Sequence, residues 1–301
     1  MSKPHLRVKI YGARGSYSPT SGIASSIGVN TTCLRVDIGN HLLIFDAGSG
    51  IIKLGQDLIK EKFSKNNDEK KWKYHLFFTH MHLDHIVGFP YFAMLYMPKT
   101  ELHFLSPRIL DYDLEDVLTT FMHPPFFPVS MEDLPFKKHF YQLAEKTISY
   151  FYEDHFELHH VNETPASGWL AKISCMRNYM HPKGGSFFYK IETLEGRKIV
   201  FASDTEGYIG GDQKLVGFAK DADLLFHDAQ YNPEEYQKNQ GFGHSTYEMA
   251  CDVAIQSGAK ELLLFHHDPS HDDDMLRSIE AEAQKVFPNS RIASECMEFE
   301  F

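Results

Sequence analysis

Phe77-Phe78-Thr79-His80-Met81-His82-Leu83-Asp84-His85 is the stretch that decides how this chain folds. The apolar run Tyr74–Phe78 reads as a short buried strand, and the polar cluster begins where that run stops, with a helix expected to start near Asp84. The pattern H-x-H-x-D-H therefore falls on the turn at a strand's C-terminal end. With 18 histidines in 301 residues, it would arise by chance only about 0.004 times in such a chain, so a loop of solvated histidines is the weaker reading. Imidazole nitrogens and carboxylate oxygens suit Zn²⁺, Mn or Fe.

Four further groups sit where an expected strand meets a loop. His181 precedes one strand, Asp204 closes another in Ala202-Ser-Asp-Thr, His227-Asp228 close a third, and His266 closes a fourth, with His267 as its alternative. Singly, each is more often a hydrogen-bonded or surface residue. Beside the first motif, together, they point to a metal centre.

The surrounding pattern alternates strands and helices. Strands are expected at Leu6–Tyr11, Cys33–Ile38, Leu42–Asp46, Ala171–Met176, Ser186–Glu192, Lys198–Ala202, Leu224–His227 and Leu262–Phe265, from β-branched and apolar runs bounded by Gly and Asn. Helices are expected at Ile51–Phe63, Thr246–Gln256 and Asp272–Val286. Ser245 is the expected N-cap of the second, and Gly258 lies just past its end. Gly12–Thr32 reads as a long loop and Ser64–Lys71 as a solvated run. Residues 91–170, rich in aromatics and prolines, read as an inserted cap on a single domain spanning 1–301.

Composition narrows the function. A chain 43% apolar and 24% charged has ample core for a globule. No apolar run reaches the roughly 18 residues of a spanning helix, and MSKPHLRVKI lacks a signal-peptide core, so a cytoplasmic protein is expected. Cys33, Cys175, Cys251 and Cys296 are far apart, which speaks against a disulfide framework or a cysteine zinc site. The net charge of −11 argues against a large nucleic-acid surface. No G-x-S-x-G occurs, so a serine hydrolase has no support, and Gly12-Ala-Arg14-Gly-Ser16 is no Walker loop.

The order H-x-H-x-D-H, His181, Ser203-Asp204-Thr205, His227-Asp228-Ala229-Gln230, Gly243-His244-Ser245-Thr246 and His266 resembles the metallo-β-lactamase-fold hydrolases. It is most similar to the branch containing ribonuclease Z and related phosphodiesterases, which carries the same Gly-His-Ser-Thr motif. Asp46 in Phe45-Asp-Ala-Gly resembles that family's structural aspartate. The resemblance implies an α/β fold, a four-layer αββα sandwich with a binuclear centre at one edge. It implies two divalent metal ions per chain, with Zn favoured over Mn or Fe. His80, His82 and His181 would hold the first, Asp84, His85 and His266 the second, and Asp204 would bridge them. Di-iron, oxygen-reducing members carry Glu at the place of His82, so the histidine here favours hydrolysis.

The resemblance further implies a metal-bridging hydroxide as nucleophile, oriented by Asp84, with His244 as the proton donor to the leaving alkoxide. Asp228 would hydrogen-bond the His244 ring and fix its tautomer, where ribonuclease Z has a Glu one methylene longer. The expected substrate is a small phosphodiester such as a cyclic nucleotide, acted on by a possible homodimer. Ribonuclease Z carries a long basic arm, and the 23 positions from His181 to Asp204 leave no room for one there. The competing readings are a lactonase or thioesterase, a tRNA 3′-processing endonuclease, and a non-catalytic metal- or nucleotide-binding protein.

Overall fold

The computed structural model describes residues 6–19, 25–64, 72–108, 110–208 and 210–301. Residues 65–71 of the expected solvated run, and 20–24 of the first long loop, lie outside the described residues.

The chain first builds β1 (Leu6–Gly12), β2 (Cys33–Ile38), β3 (His41–Phe45), β4 (Trp72–Phe77), β5 (Thr100–Pro107) and β6 (Lys137–Leu143) into one sheet. It then builds a second sheet from β7 (Thr147–Phe151), β8 (Phe156–His160), β9 (Ala171–Asn178), β10 (Ser186–Thr193), β11 (Lys198–Ala202), β12 (Leu224–Asp228), β13 (Leu262–Phe265) and β14 (Ser290–Ile292). Last, β15 (Glu298–Glu300) returns to the edge of the first sheet. The orders are β15-β1-β2-β3-β4-β5-β6 and β14-β13-β12-β11-β10-β9-β7-β8.

Both sheets are mixed. β3 through β6 run parallel, as do β11 through β14, while β1–β3 and β7–β11 pair antiparallel. A parallel strand with helices over its far face is buried on both sides and reads as a continuous apolar run. In β3, Leu43 and Phe45 join the core between the sheets, while Leu42 and Ile44 join the core outside the first sheet. In β12, Leu224 and Phe226 face inward and Leu225 outward in the same way.

Helices α1 (Gly50–Ser64), α2 (Leu83–Ile86) and α3 (Leu114–Phe121) cover the outer face of the first sheet through Ile51, Leu54, Leu58, Ile86, Leu114 and Leu118. On the second sheet, α4 (Gln213–Phe218), α6 (Tyr247–Ser257) and α7 (Asp273–Val286) do the same through Leu215, Val253, Ala254, Leu276 and Ile279. Between α4 and α6, α5 (Pro233–Asn239) buries no side chain. The result is an αββα sandwich with three apolar layers. The middle layer is aromatic: Phe45 stacks on Phe77 at 5.1 Å, and Phe201 meets Phe265 edge-on at 5.4 Å.

Two expectations are corrected. Residues 91–170 are not set apart as a cap: β5 and β6 extend the first sheet in parallel, and β7 and β8 extend the second. The sequence disguises these strands because His103, His139 and Tyr141 occupy alternate positions where a core strand would show Val or Ile. The N-cap of α6 is Thr246, whose hydroxyl accepts from the Met249 N–H. Ser245 instead donates its hydroxyl to the Thr205 carbonyl and accepts from the Gly207 N–H. Gly258 does end this helix, in the left-handed conformation at φ 70°.

Candidate metal centre

Parallel strands deliver their C-terminal ends to one edge of a sheet, and ligands collect there. The turns after β3, β4, β11, β12 and β13 all meet at one edge of the sandwich. Three of these turns begin on a residue in the left-handed region: Asp46 at φ 62°, Asp204 at φ 57° and His266 at φ 62°. Asp and His tolerate this conformation better than branched residues, at a cost of about 1–3 kcal/mol each. The kink turns each side chain out of its strand's alternation and into the shared edge. Gly15 lets the first long loop close against the result, since a Cβ there would stand 2.3 Å from the His266 ring.

Two groups of ligand atoms form. In the first, His82 Nδ1 is 2.9 Å from His80 Nε2 and 2.9 Å from His181 Nε2. In the second, His266 Nε2 is 3.0 Å from Asp84 Oδ2 and 3.1 Å from Asp204 Oδ1, and His85 Nε2 is 3.2 Å from Asp204 Oδ2. Asp204 also faces the first group, at 3.7 Å from His80 Nε2 and 3.9 Å from His181 Nε2. One carboxylate thus stands between two clusters of donors.

Three of these rings have their other nitrogen already committed. His85 Nδ1 is 2.8 Å from Asp46, His266 Nδ1 is 3.0 Å from Gln230 Oε1, and His181 Nδ1 is 3.1 Å from the Gly243 carbonyl. Each of those partners accepts, so Nδ1 points its proton outward and Nε2 is the atom each of these rings turns to the centre. Asp46 is itself held by the Thr79 N–H and hydroxyl, each at 2.8 Å. The Ser16 N–H donates to Asp84 at 2.8 Å.

Electrostatically the edge is a buried mixture of opposite charges. Burial holds His80 well below its ordinary pKa and brings His181 to about 4, so both rings are neutral donors. For His266 burial also pushes down, but the carboxylates of Asp204, Asp84 and Asp228 outweigh it and raise the ring to about 9. Burial likewise opposes charge on Asp84 and Asp204, yet the surrounding imidazoles hold both carboxyls well below the usual range.

This donor set fits a pair of divalent cations. The ligand atoms of Asp84, His85, Asp204 and His266 lie within 4.8 Å of one another, and so do those of His80, His82 and His181, where the imidazole nitrogens follow in 2.9 Å steps; a cation held by each group accounts for both gatherings. Five imidazoles and two carboxylates leave coordination positions open, as catalytic sites require.

His244 lies against both groups. Its ring stacks on His266 at 4.8 Å and 14°, and meets His181 edge-on at 5.2 Å. Its Nδ1 is 2.7 Å from Asp228 Oδ2, and Asp228 also accepts from the Ser245 N–H at 3.0 Å and the Gln230 N–H at 3.2 Å. Asp228 is fully buried, and the shorter carboxyl still reaches the ring.

Other candidates turn elsewhere. His227 bonds the Asp228 carbonyl through Nδ1, and His267 bonds the Ala293 carbonyl through Nε2, so neither joins the centre. Arg14 spends its guanidinium on the carbonyls of Gly28, Asp268 and His271. Phe92 is buried in the outer core, and Tyr91 packs on Phe127 at 5.6 Å.

Sequence reading missed Glu206, Gln230 and Asn178. Glu206 accepts from the Gly241 and Gly243 N–H groups and from the Tyr236 hydroxyl, which fixes the loop that carries His244. Asn178 donates to the Asp204 carbonyl at 2.9 Å and so holds the strained turn. Only Gln230, inside His227-Asp-Ala-Gln, carried a motif signal.

Residues 41–267 match the family described as the Beta-lactamase superfamily domain. The chain belongs to this metallo-β-lactamase-fold superfamily, and is a metal-dependent hydrolase. It is 25% identical to a ribonuclease Z of Porphyromonas gingivalis, over 87% of this chain and 90% of that protein. Among solved structures it is similar to the metallo-β-lactamase fold protein YhfI from Bacillus subtilis (TM-score 0.65, 19% identity, 99% of this chain and 100% of that one). It is also similar to the short form of human tRNase Z (TM-score 0.59, 20% identity, 97% and 98%) and to a diphosphatase of the PhnP family (TM-score 0.61, 15% identity, 98% and 98%). Among the described residues no helix is long and apolar enough to cross a membrane.

Proposed function

We propose that the protein is a binuclear phosphodiesterase. His80, His82 and His181 would hold one ion and Asp84, His85 and His266 the other, with Asp204 shared between them and Zn²⁺ the favoured metal. Ions bound there would bring the pKa of a water near neutrality and neutralise phosphate charge during an in-line displacement. The chain's own residues do the rest. Asp84, steadied by the Ser16 N–H, orients the attacking water. His244 Nε2 protonates the leaving oxygen, and Asp228 holds the ring in place and stabilises its protonated form.

The observation that carries this reading is the buried Asp228–His244 pair, 2.7 Å apart and stacked against a ligand ring. A thioesterase has less need of a placed acid, because a thiolate departs more easily than an alkoxide.

The substrate we infer is a small phosphodiester such as a cyclic nucleotide, in the cytoplasm, where the four unpaired cysteines stay reduced. The hairpin next to the site is short: residues 179–185 join β9 to β10, with no room for a basic arm. Exposed aromatics, Tyr17, Tyr179, Tyr208 and Phe242, lie within a few residues of site groups and offer faces for a base. RNA is the second reading, favoured by the likeness to ribonuclease Z along most of the chain, and it weighs against the expectation drawn from net charge alone.

The test is hydrolysis of bis(p-nitrophenyl) phosphate, a cyclic-nucleotide panel, a precursor tRNA and a set of lactones by Zn²⁺- or Mn²⁺-loaded protein, with His244→Ala alongside. Turnover of the cyclic nucleotides that collapses in the variant, with bis(p-nitrophenyl) phosphate, whose leaving group needs no proton, much less affected, supports the proposal. Cleavage of the precursor tRNA alone moves the substrate to RNA, and turnover of lactones alone overturns the phosphodiesterase reading.

A further inference from the structure

We propose that Glu101, His103 and His139 form a separate site for one transition-metal dication, Zn²⁺ or a neighbour such as Ni²⁺ or Cu²⁺, at the open edge of the seven-stranded sheet. Side chains two apart on a strand share a face, which puts Glu101 and His103 together on β5. Parallel pairing places His139 of β6 directly beside His103. The two imidazoles stack nearly parallel, with centroids 4.8 Å apart and planes 13° apart. Both turn Nε2 toward one carboxylate oxygen: His103 Nε2 is 3.5 Å and His139 Nε2 is 3.4 Å from Glu101 Oε1. Two ligands each about 2.0–2.1 Å from a tetrahedral ion stand about 3.4 Å apart, so both imidazole–carboxylate separations match those around one zinc, and all three ligand atoms lie within 4.8 Å of one another.

The surroundings point the same way. The Tyr141 hydroxyl is 3.2 Å from His103 Nδ1, an outer partner that orients the ring and leaves Nε2 as the donor. Burial, helped by the neighbouring His139, brings His103 to about 4, so the ring is an unprotonated ligand at neutral pH. Phe156 of β8 packs edge-on against His103 at 5.3 Å and walls off one side, while the half-exposed His139 gives an ion a way in. The site is distinct from the hydrolytic centre: His103 pairs with His75 midway along β4, whereas His80 lies beyond that strand's end. Three protein ligands leave one position to water. An ion here would pin the edge strand β6 to β5.

The probe is Zn²⁺ alone. Wild type, His139→Asn and Glu101→Gln are dialysed against a buffered low-micromolar Zn²⁺ solution, and zinc per chain is measured by plasma mass spectrometry. His139 is exposed enough for its variant to fold, which circular dichroism checks. The expected result is one zinc fewer per chain in each variant than in wild type, with diesterase rates within twofold of each other and a smaller zinc-dependent rise in Tm. Equal zinc content in all three proteins overturns the proposal and leaves a carboxylate hydrogen-bonded by two histidines.

Discussion

Replacing Asp228 by Asn tests the catalytic pair with the least change in shape. The fully buried carboxylate accepts from His244 Nδ1 at 2.7 Å, the Ser245 N–H at 3.0 Å and the Gln230 N–H at 3.2 Å. An Asn can keep its Oδ1 toward the two backbone donors, which leaves its amide N–H₂ facing His244. Nδ1 must then give up its proton to accept one, and the doubly protonated ring loses its charge-assisted partner. A hydrogen bond to a charged group is worth about 1.5–3 kcal/mol, and each 1.36 kcal/mol is tenfold in rate, so kcat should fall roughly 10- to 150-fold. Removing the acid altogether, in His244→Ala, should cost about 10²–10⁴. The assay compares an alkyl phosphodiester with bis(p-nitrophenyl) phosphate. p-Nitrophenolate leaves without a proton, so the Asn variant should lose much more rate on the alkyl ester, with zinc content unchanged. Equal losses on both esters would refute the role of His244 as an acid, and an accompanying loss of zinc would mean that the pair supports the metal ligands instead.

Three other outcomes follow from the same geometry. Asp204→Ala removes the one carboxylate that faces both donor groups, so metal content should fall from two ions to one or none at the hydrolytic centre; retention of both ions there, measured by mass spectrometry, would overturn the bridging assignment. Gly15→Ala places a methyl 2.3 Å from the His266 ring, and shifting one ligand should lower affinity for the second ion about 10- to 100-fold, seen as a raised metal requirement in activity titrations. In metal-free protein His266 is raised from 6.5 to about 9, so the folded state binds a proton that the unfolded state has lost. That stabilisation is complete below about pH 6.5 and disappears as pH rises through 9, so the Tm of chelator-treated protein should fall across this window, and a Tm that rises there contradicts the assignment.

Much of the centre was legible because its chemistry is local. H-x-H-x-D-H occupies one turn after one strand, and strand-end positions marked His181, Asp204 and His266 as its partners in a fold made of parallel units. Buried strands such as Leu262–Phe265 and Lys198–Ala202 stood out because both faces are apolar. The strands of 91–170 did not, since β5 and β6 carry His103, His139 and Tyr141 on their inner face. A histidine ladder looks polar to any periodicity until its packing partners, Phe151 and Phe156, arrive from the other sheet.

What the amino-acid sequence determined by itself was the kind of donor and its place on a strand end, because residue type and strand phase are properties of short segments. What only the tertiary structure decided was which nitrogen each imidazole offers, that Asp204 lies between two groups, and that Glu206 and Asn178 hold the loops in place. Those facts depend on distances between residues as far apart in the chain as Asp84 and His266, 182 positions. Such distances are set when two twisted sheets close on a shared core, and no local pattern encodes them.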